Sequence, residues 1–132
     1  MSELSANRAR IFALEEVLGE CEQAELETKH YFAHGTYTRE LFLPAGTILT
    51  GKIHRHSCIN IIPMGKILVV TDEGEYTIEG PHTFVSGANV KKAGAVIEDT
   101  IWLNVHPWDG ESDIEQIEQE LIVPAENRLW HG

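Results

Sequence analysis

The sequence predicts one all-β domain, a sandwich or barrel with a short helix at each end, and three observations predict it. From residue 37 onward, short β-branched and apolar runs recur at regular spacing between turn signals such as Pro44-Ala45-Gly46, Pro63-Met64-Gly65 and Asp72-Glu73-Gly74. Helical periodicity is confined to the two ends, so the alternation of strand and helix that builds a βαβ sheet is missing. The 132 residues suffice for one hydrophobic core and not for two.

The elements follow in order. Residues 7–18 set Ile11, Leu14, Glu15 and Leu18 at helical spacing, and Gly19 supplies a stop. Strands are expected at 37–43, 47–53, 59–62, 66–71, 75–78, 83–85, 95–97 and 100–106. After Pro107-Trp108-Asp109-Gly110, Ser112 stands three residues before Glu115, a capping box opening a helix through Leu121. Ile114, Ile117 and Leu121 form its apolar stripe, and both helices are expected to cover the ends or outer face of the barrel. The organisation is thus a helix and lead-in over 1–36, a barrel over 37–107, and a helix and tail over 108–132, all in one domain.

Ten basic against twenty-one acidic residues leave a net charge of −11, the wrong sign for a protein that grips a phosphate backbone. No apolar run nears the roughly 20 residues of a membrane span, and the N-terminus lacks a signal-peptide pattern. The expectation is a cytoplasmic protein without nucleic-acid or membrane partners. Cys21 and Cys58 form neither a disulfide framework nor a zinc-finger pair, and both are expected as free thiols, Cys58 buried.

The segment Gly51-Lys52-Ile53-His54-Arg55-His56-Ser57-Cys58-Ile59-Asn60 carries the most chemistry. Residues two apart on a strand share a face, so His54 and His56 could aim two imidazoles at one transition-metal or zinc ion. The competing arrangement turns both histidines to solvent. Cys58 shares their parity, but no third residue orients a cysteine–histidine dyad. In the last strand Trp102, Asn104 and His106 share a parity. Trp102 fits a core position or barrel mouth, and alternatively a stacking wall for a sugar or ring.

A glycine turn, H-x-H, a polar residue four positions on and then Gly65 together resemble the first motif of the cupin superfamily, over roughly residues 41–106. The resemblance implies a jelly-roll barrel with short N-terminal and C-terminal helices, and it matches His54 and His56 to the family's metal-binding histidines. Asn60 stands where a glutamate ligand is expected. The second motif matches 83–94, where Lys92, or Lys91 with the register slipped by one, replaces the third histidine. The runs H-R-H-x-x-I-N and E-D-T-x-W-x-x-V-H-P also resemble small cupin-like proteins encoded by tailed bacteriophages, which implies the cytoplasm of an infected host. The family further implies a homodimer.

Two arrangements of the site follow. In one, His106 completes a set of His54, His56 and Asn60 around a divalent Fe, Mn, Ni or Zn ion. In the other, Lys91 or Lys92 supplies positive charge, and the pocket, with Trp102 and Asn104 also on it, takes a small anionic ligand, a carboxylate or phosphate, with His54, His56 and Asn60 as hydrogen-bond partners. The expected function is accordingly a cupin-like protein binding a small anionic molecule, with or without a metal. The alternatives are a metal-dependent oxygenase or isomerase and a non-catalytic phage structural or host-interaction protein.

Overall fold

The computed structural model describes residues 3–20, 26–109 and 113–122. In chain order the elements are α1 (Glu3–Gly19), β1 (Glu27–Ala33), β2 (Thr36–Leu43), β3 (Ile48–Thr50), β4 (Cys58–Thr71), β5 (Gly74–Glu79), β6 (His82–Ser86), β7 (Ala93–Pro107) and α2 (Ile114–Leu121). The sheet runs β1-β2-β7-β4-β5, with β3 on β7 and β6 on β4. Every pairing is antiparallel. The long strands β4 and β7 pair with each other, while β4 exchanges β6 for β5 along its length and β7 exchanges β3 for β2. A strand that changes partner midway must bend, and two such strands close the sheet around one core as a jelly roll.

The bend in β4 lies at Pro63-Met64-Gly65, where the register with β7 shifts repeatedly. Before it Cys58, Asn60 and Ile62 are buried; after it Ile67, Val69 and Thr71 are. The inward parity changes from even to odd, as extra residues in one strand require. Gly65 makes this possible: its φ is +114°, and a Cβ there would lie 2.3 Å from Thr100 Oγ1 and 2.6 Å from the Asp99 carbonyl oxygen.

The expected turn at this Pro-x-Gly is therefore a bulge within one strand, and residues 95–97 and 100–106 are likewise one strand, β7. The expected strand at 47–53 shortens to β3. β1 falls within the expected lead-in. Among the described residues it pairs only with β2, and it is exposed along most of its length, so nothing there imposes an apolar–polar alternation on it.

The core comprises Leu43, Ile62, Ile67, Val69, Ile78, Val96 and Trp102. α1, which begins at Glu3 rather than at residue 7, turns Arg8 and Ile11 inward. Arg8 pairs with Asp72 in the β4–β5 turn, its Nε 3.1 Å from Oδ1. At the other end of the helix Glu15 accepts from Lys91 Nζ at 2.5 Å and from Thr50 Oγ1 at 2.7 Å. α2 packs Ile117 and Leu121 against Tyr37 and Trp108. Its cap is Asp113, whose side chain accepts from the backbone N–H groups of Glu115 and Gln116. Ser112, expected in that role, lies outside the described residues, as does Cys21. Among the described residues no helix is long and apolar enough to cross a membrane.

Candidate ligand-binding site

The histidine pair does not sit on a strand. His54 makes a single bridge to Ile122 after α2, and residues 55–57 form an exposed bend before β4 begins. Arg55 N donates to the Leu121 carbonyl at 2.8 Å, which ties the bend to the helix end. Off a strand the two-residue spacing no longer forces a shared face. His54 turns inward and is partly buried, whereas His56 is exposed. The inward partner of His54 is instead His106 on β7, 5% exposed, with its ring centroid 5.0 Å away in an edge-on contact.

Asn60, wholly buried on β4, is a hydrogen-bond hub. Its Oδ1 accepts from Trp102 Nε1 at 3.0 Å and from Asn104 Nδ2 at 2.6 Å. Its Nδ2 donates to Ser86 Oγ at 3.0 Å and to the Cys58 carbonyl at 3.3 Å. Two acceptor and two donor positions are all that a primary amide offers, so Asn60 is saturated by the protein. Cys58 is a buried free thiol, its Sγ 3.4 Å from Ser86 Oγ and 3.8 Å from His54 Nδ1.

The two adjacent lysines part company. Lys91 points toward α1, fully buried, donating to Glu15 and to the Gly51 carbonyl at 2.7 Å. It does not line the cavity, which corrects the expectation that either lysine could serve as a ligand group. Lys92 points the other way, into a cavity of about 440 Å³ that it lines together with Arg39, His54, Ser86, Trp102 and Asn104. Its Nζ lies 5.6 Å from the Phe84 ring centroid and 5.7 Å from that of Trp102, within cation–π range of both. Trp102 is both core and cavity wall. α1 contributes Glu15 and Leu18 to the lining.

Electrostatically the cavity is cationic. Among the described residues no carboxylate pairs with Lys92. Glu15, the acidic group on the lining, is already engaged by Lys91 and Thr50. Burial pushes the Lys92 ammonium below the usual lysine range, opposed by the Cys58 thiol nearby. His54 is pushed down to about 4, first by burial and then by the charges of His106, Lys92, Arg39 and Lys52. Burial, with Arg39 and His56 adding to it, also lowers His106. Both rings are therefore neutral near pH 7.

Arg39 escaped the sequence reading, although a signal existed. It interrupts the inward row Tyr37, Leu41, Leu43 on β2, and a charge in an otherwise apolar row is a site candidate. Ser86, next to a turn glycine, carried no such signal.

The donor set does not fit the metal centre that the cupin resemblance implies. His56 is exposed on the bend, the Asn60 amide is saturated, and Lys92 occupies the position of the third histidine with a group that cannot ligate while protonated. Among the described residues no three His, Cys, Asp or Glu side chains gather as a metal-binding group.

No family model and no curated protein sequence matches the chain. Solved structures do. The chain is similar to KdgF from Halomonas sp., with a TM-score of 0.55 and 15% identity over 70% of this chain and 88% of that one. It is similar to a cupin superfamily protein from Desulfitobacterium hafniense DCB-2, with a TM-score of 0.54 and 11% identity over 68% and 84% of the two chains. A Cupin_2 domain of an XRE family transcriptional regulator from Enterobacter cloacae gives a TM-score of 0.54 at 9% identity, covering 66% of this chain and all of that one (100%). These likenesses bear on the fold and not on the likeness to phage proteins. Bent β4 and β7 and these structural relatives together assign the chain the cupin fold, a single jelly-roll β-barrel with a short helix at each end.

Proposed function

We propose that the barrel binds a small anionic molecule bearing a carboxylate or phosphate. The observation that carries this reading is the pair of cations, Lys92 and Arg39, on the lining of one cavity, with Lys92 unpaired to any described carboxylate. A cation held in a partly dry cavity without a counter-charge gains most from an anion that enters it. Arg39 offers a planar fork for a carboxylate or phosphate, Lys92 a point charge, and neutral His54 a hydrogen bond. The indole of Trp102 supplies an apolar wall, as small-molecule sites commonly have beside a few polar groups.

Calorimetric titration with inorganic phosphate and a panel of small mono- and dicarboxylates tests the reading. Saturable binding to at least one of them is expected, weakened about tenfold or more in Lys92→Met and in Arg39→Met. Failure of the whole panel to bind would overturn it.

A further inference from the structure

We propose that Lys92 is a nucleophilic amine that condenses with the carbonyl of a small oxo-acid, whose carboxylate Arg39 holds, to form an imine inside the cavity. The inference rests on the anion-binding reading and names the substrate class. An anion pocket needs only a charge, and a charge is most stable beside a carboxylate or in water. Lys92 has neither a described carboxylate partner nor free exposure. Its Nζ lies near the faces of Phe84 and Trp102, rings that themselves meet edge-on at 5.9 Å. Arg39 and His54 line the same cavity, as does Lys52, which is paired with Glu118 at 3.3 Å. An apolar enclosure leaves a lysine amine with its lone pair available, and burial lowers the proton affinity of Lys92 in agreement with it.

The step balances without an oxidant or reductant. The Nζ lone pair attacks the carbonyl carbon, a C–N bond forms, and the C=O π pair moves onto oxygen. One proton passes from nitrogen to neutral His54, and the oxygen is protonated to give the carbinolamine. The remaining nitrogen lone pair then expels the hydroxyl, which leaves as water with the proton returned by His54. Amine and ketone become protonated imine and water once a further proton is taken from solvent. Such an imine withdraws electrons from the adjacent carbon, which serves decarboxylation or proton exchange at that position. Arg39 makes the cavity choose ketones that carry a carboxylate over those that do not.

The test is reductive trapping of the full chain with cyanoborohydride in the presence of pyruvate or of acetone, followed by peptide mapping. With pyruvate, one adduct per chain is expected on Lys92, about tenfold or more above the exposed Lys29 and Lys52. Arg39→Met should lower pyruvate capture about tenfold while sparing acetone capture, and Lys92→Arg should abolish the adduct. Equal labelling of Lys92 and the exposed lysines in the unaltered protein would overturn the proposal without need of a variant. Calorimetry with pyruvate, without reductant, separates the two readings. Binding without capture at Lys92 overturns the amine chemistry and leaves the anion pocket standing. No binding of pyruvate, phosphate or any carboxylate overturns both.

Discussion

Trp102 Nε1 donates to Asn60 Oδ1 at 3.0 Å, joining β7 to β4 through the interior of the barrel. The same oxygen takes Asn104, and the same amide gives to Ser86, so the partners on two further strand positions hang on one side chain. Asn60→Leu would leave the buried indole N–H without its acceptor, and would leave the Asn104 amide and the Ser86 hydroxyl their longer contacts with Cys58 Sγ at 3.7 and 3.4 Å. The expected loss is about 1–3 kcal/mol, the cost of the stranded indole N–H. Urea unfolding of Asn60→Leu beside Asn60→Asp checks it. The aspartate variant would retain the two acceptor contacts and should fall between wild type and the leucine variant.

Lys91 and Lys92 should separate stability from binding. Lys91→Met combined with Glu15→Gln removes the buried ion pair and the bond to the Gly51 carbonyl without freeing a carboxylate on the lining, and is expected to lower the Tm while leaving phosphate or carboxylate affinity within about twofold. Lys92→Met should do the reverse, weakening the anion about tenfold and holding or raising the Tm, since it exchanges a desolvated ammonium for a thioether beside two rings. Thermal melts with and without ligand decide both.

Acid should destabilise the protein through His54. Its folded pKa, about 4, lies below the ordinary value of 6.5, so the unfolded chain binds the proton more readily. The stability is fully present above about pH 6.5 and is lost as pH falls toward 4, at up to about 1.4 kcal/mol per pH unit. His106 shifts in the same direction and steepens the slope. His54→Asn should flatten it across this window, measured by denaturant unfolding at stepped pH.

Gly65→Ala is expected to cost several kcal/mol, whereas Gly46→Ala should cost about 1–2 kcal/mol. Both glycines have positive φ, but a Cβ at Gly46 meets open space while one at Gly65 collides with the Thr100 and Asp99 backbone. The contrast isolates close approach of the strands from backbone conformation alone, and chemical denaturation of the two variants measures it.

His56→Ala should change stability by less than about 0.5 kcal/mol, as an exposed residue on a bend. Added Zn or Mn should leave the Tm of this variant and of the unaltered protein alike unchanged. A Tm rise confined to the unaltered protein would restore His56 to a metal site.

Much of the barrel was legible because inward and outward residues alternate cleanly where one face meets the core, as along Trp102, Asn104 and His106 on β7. β1 was not legible because an exposed edge strand has no face to declare. Pro63-Met64-Gly65 carries the residues of a turn, yet Gly65 is there for its approach to Thr100 rather than for reversing the chain. The histidine pair misled for a related reason: spacing tells direction only on a strand, and the bend at 55–57 is set by a bond to α2, far along the chain. Which lysine faced inward turned on register, settled by the pairing of β7 with β3 and β4 rather than by anything local.

The cations turned into the cavity belong to a chain whose net charge is −11, so the field changes sign between the outer surface and the interior. A small anion approaching from solution is repelled before it is attracted. Added electrolyte should therefore quicken its arrival by screening the exterior and, by screening the inner contact less, shorten its stay only weakly. Long polyanions, which cannot leave the outer field behind, never reach the favourable region.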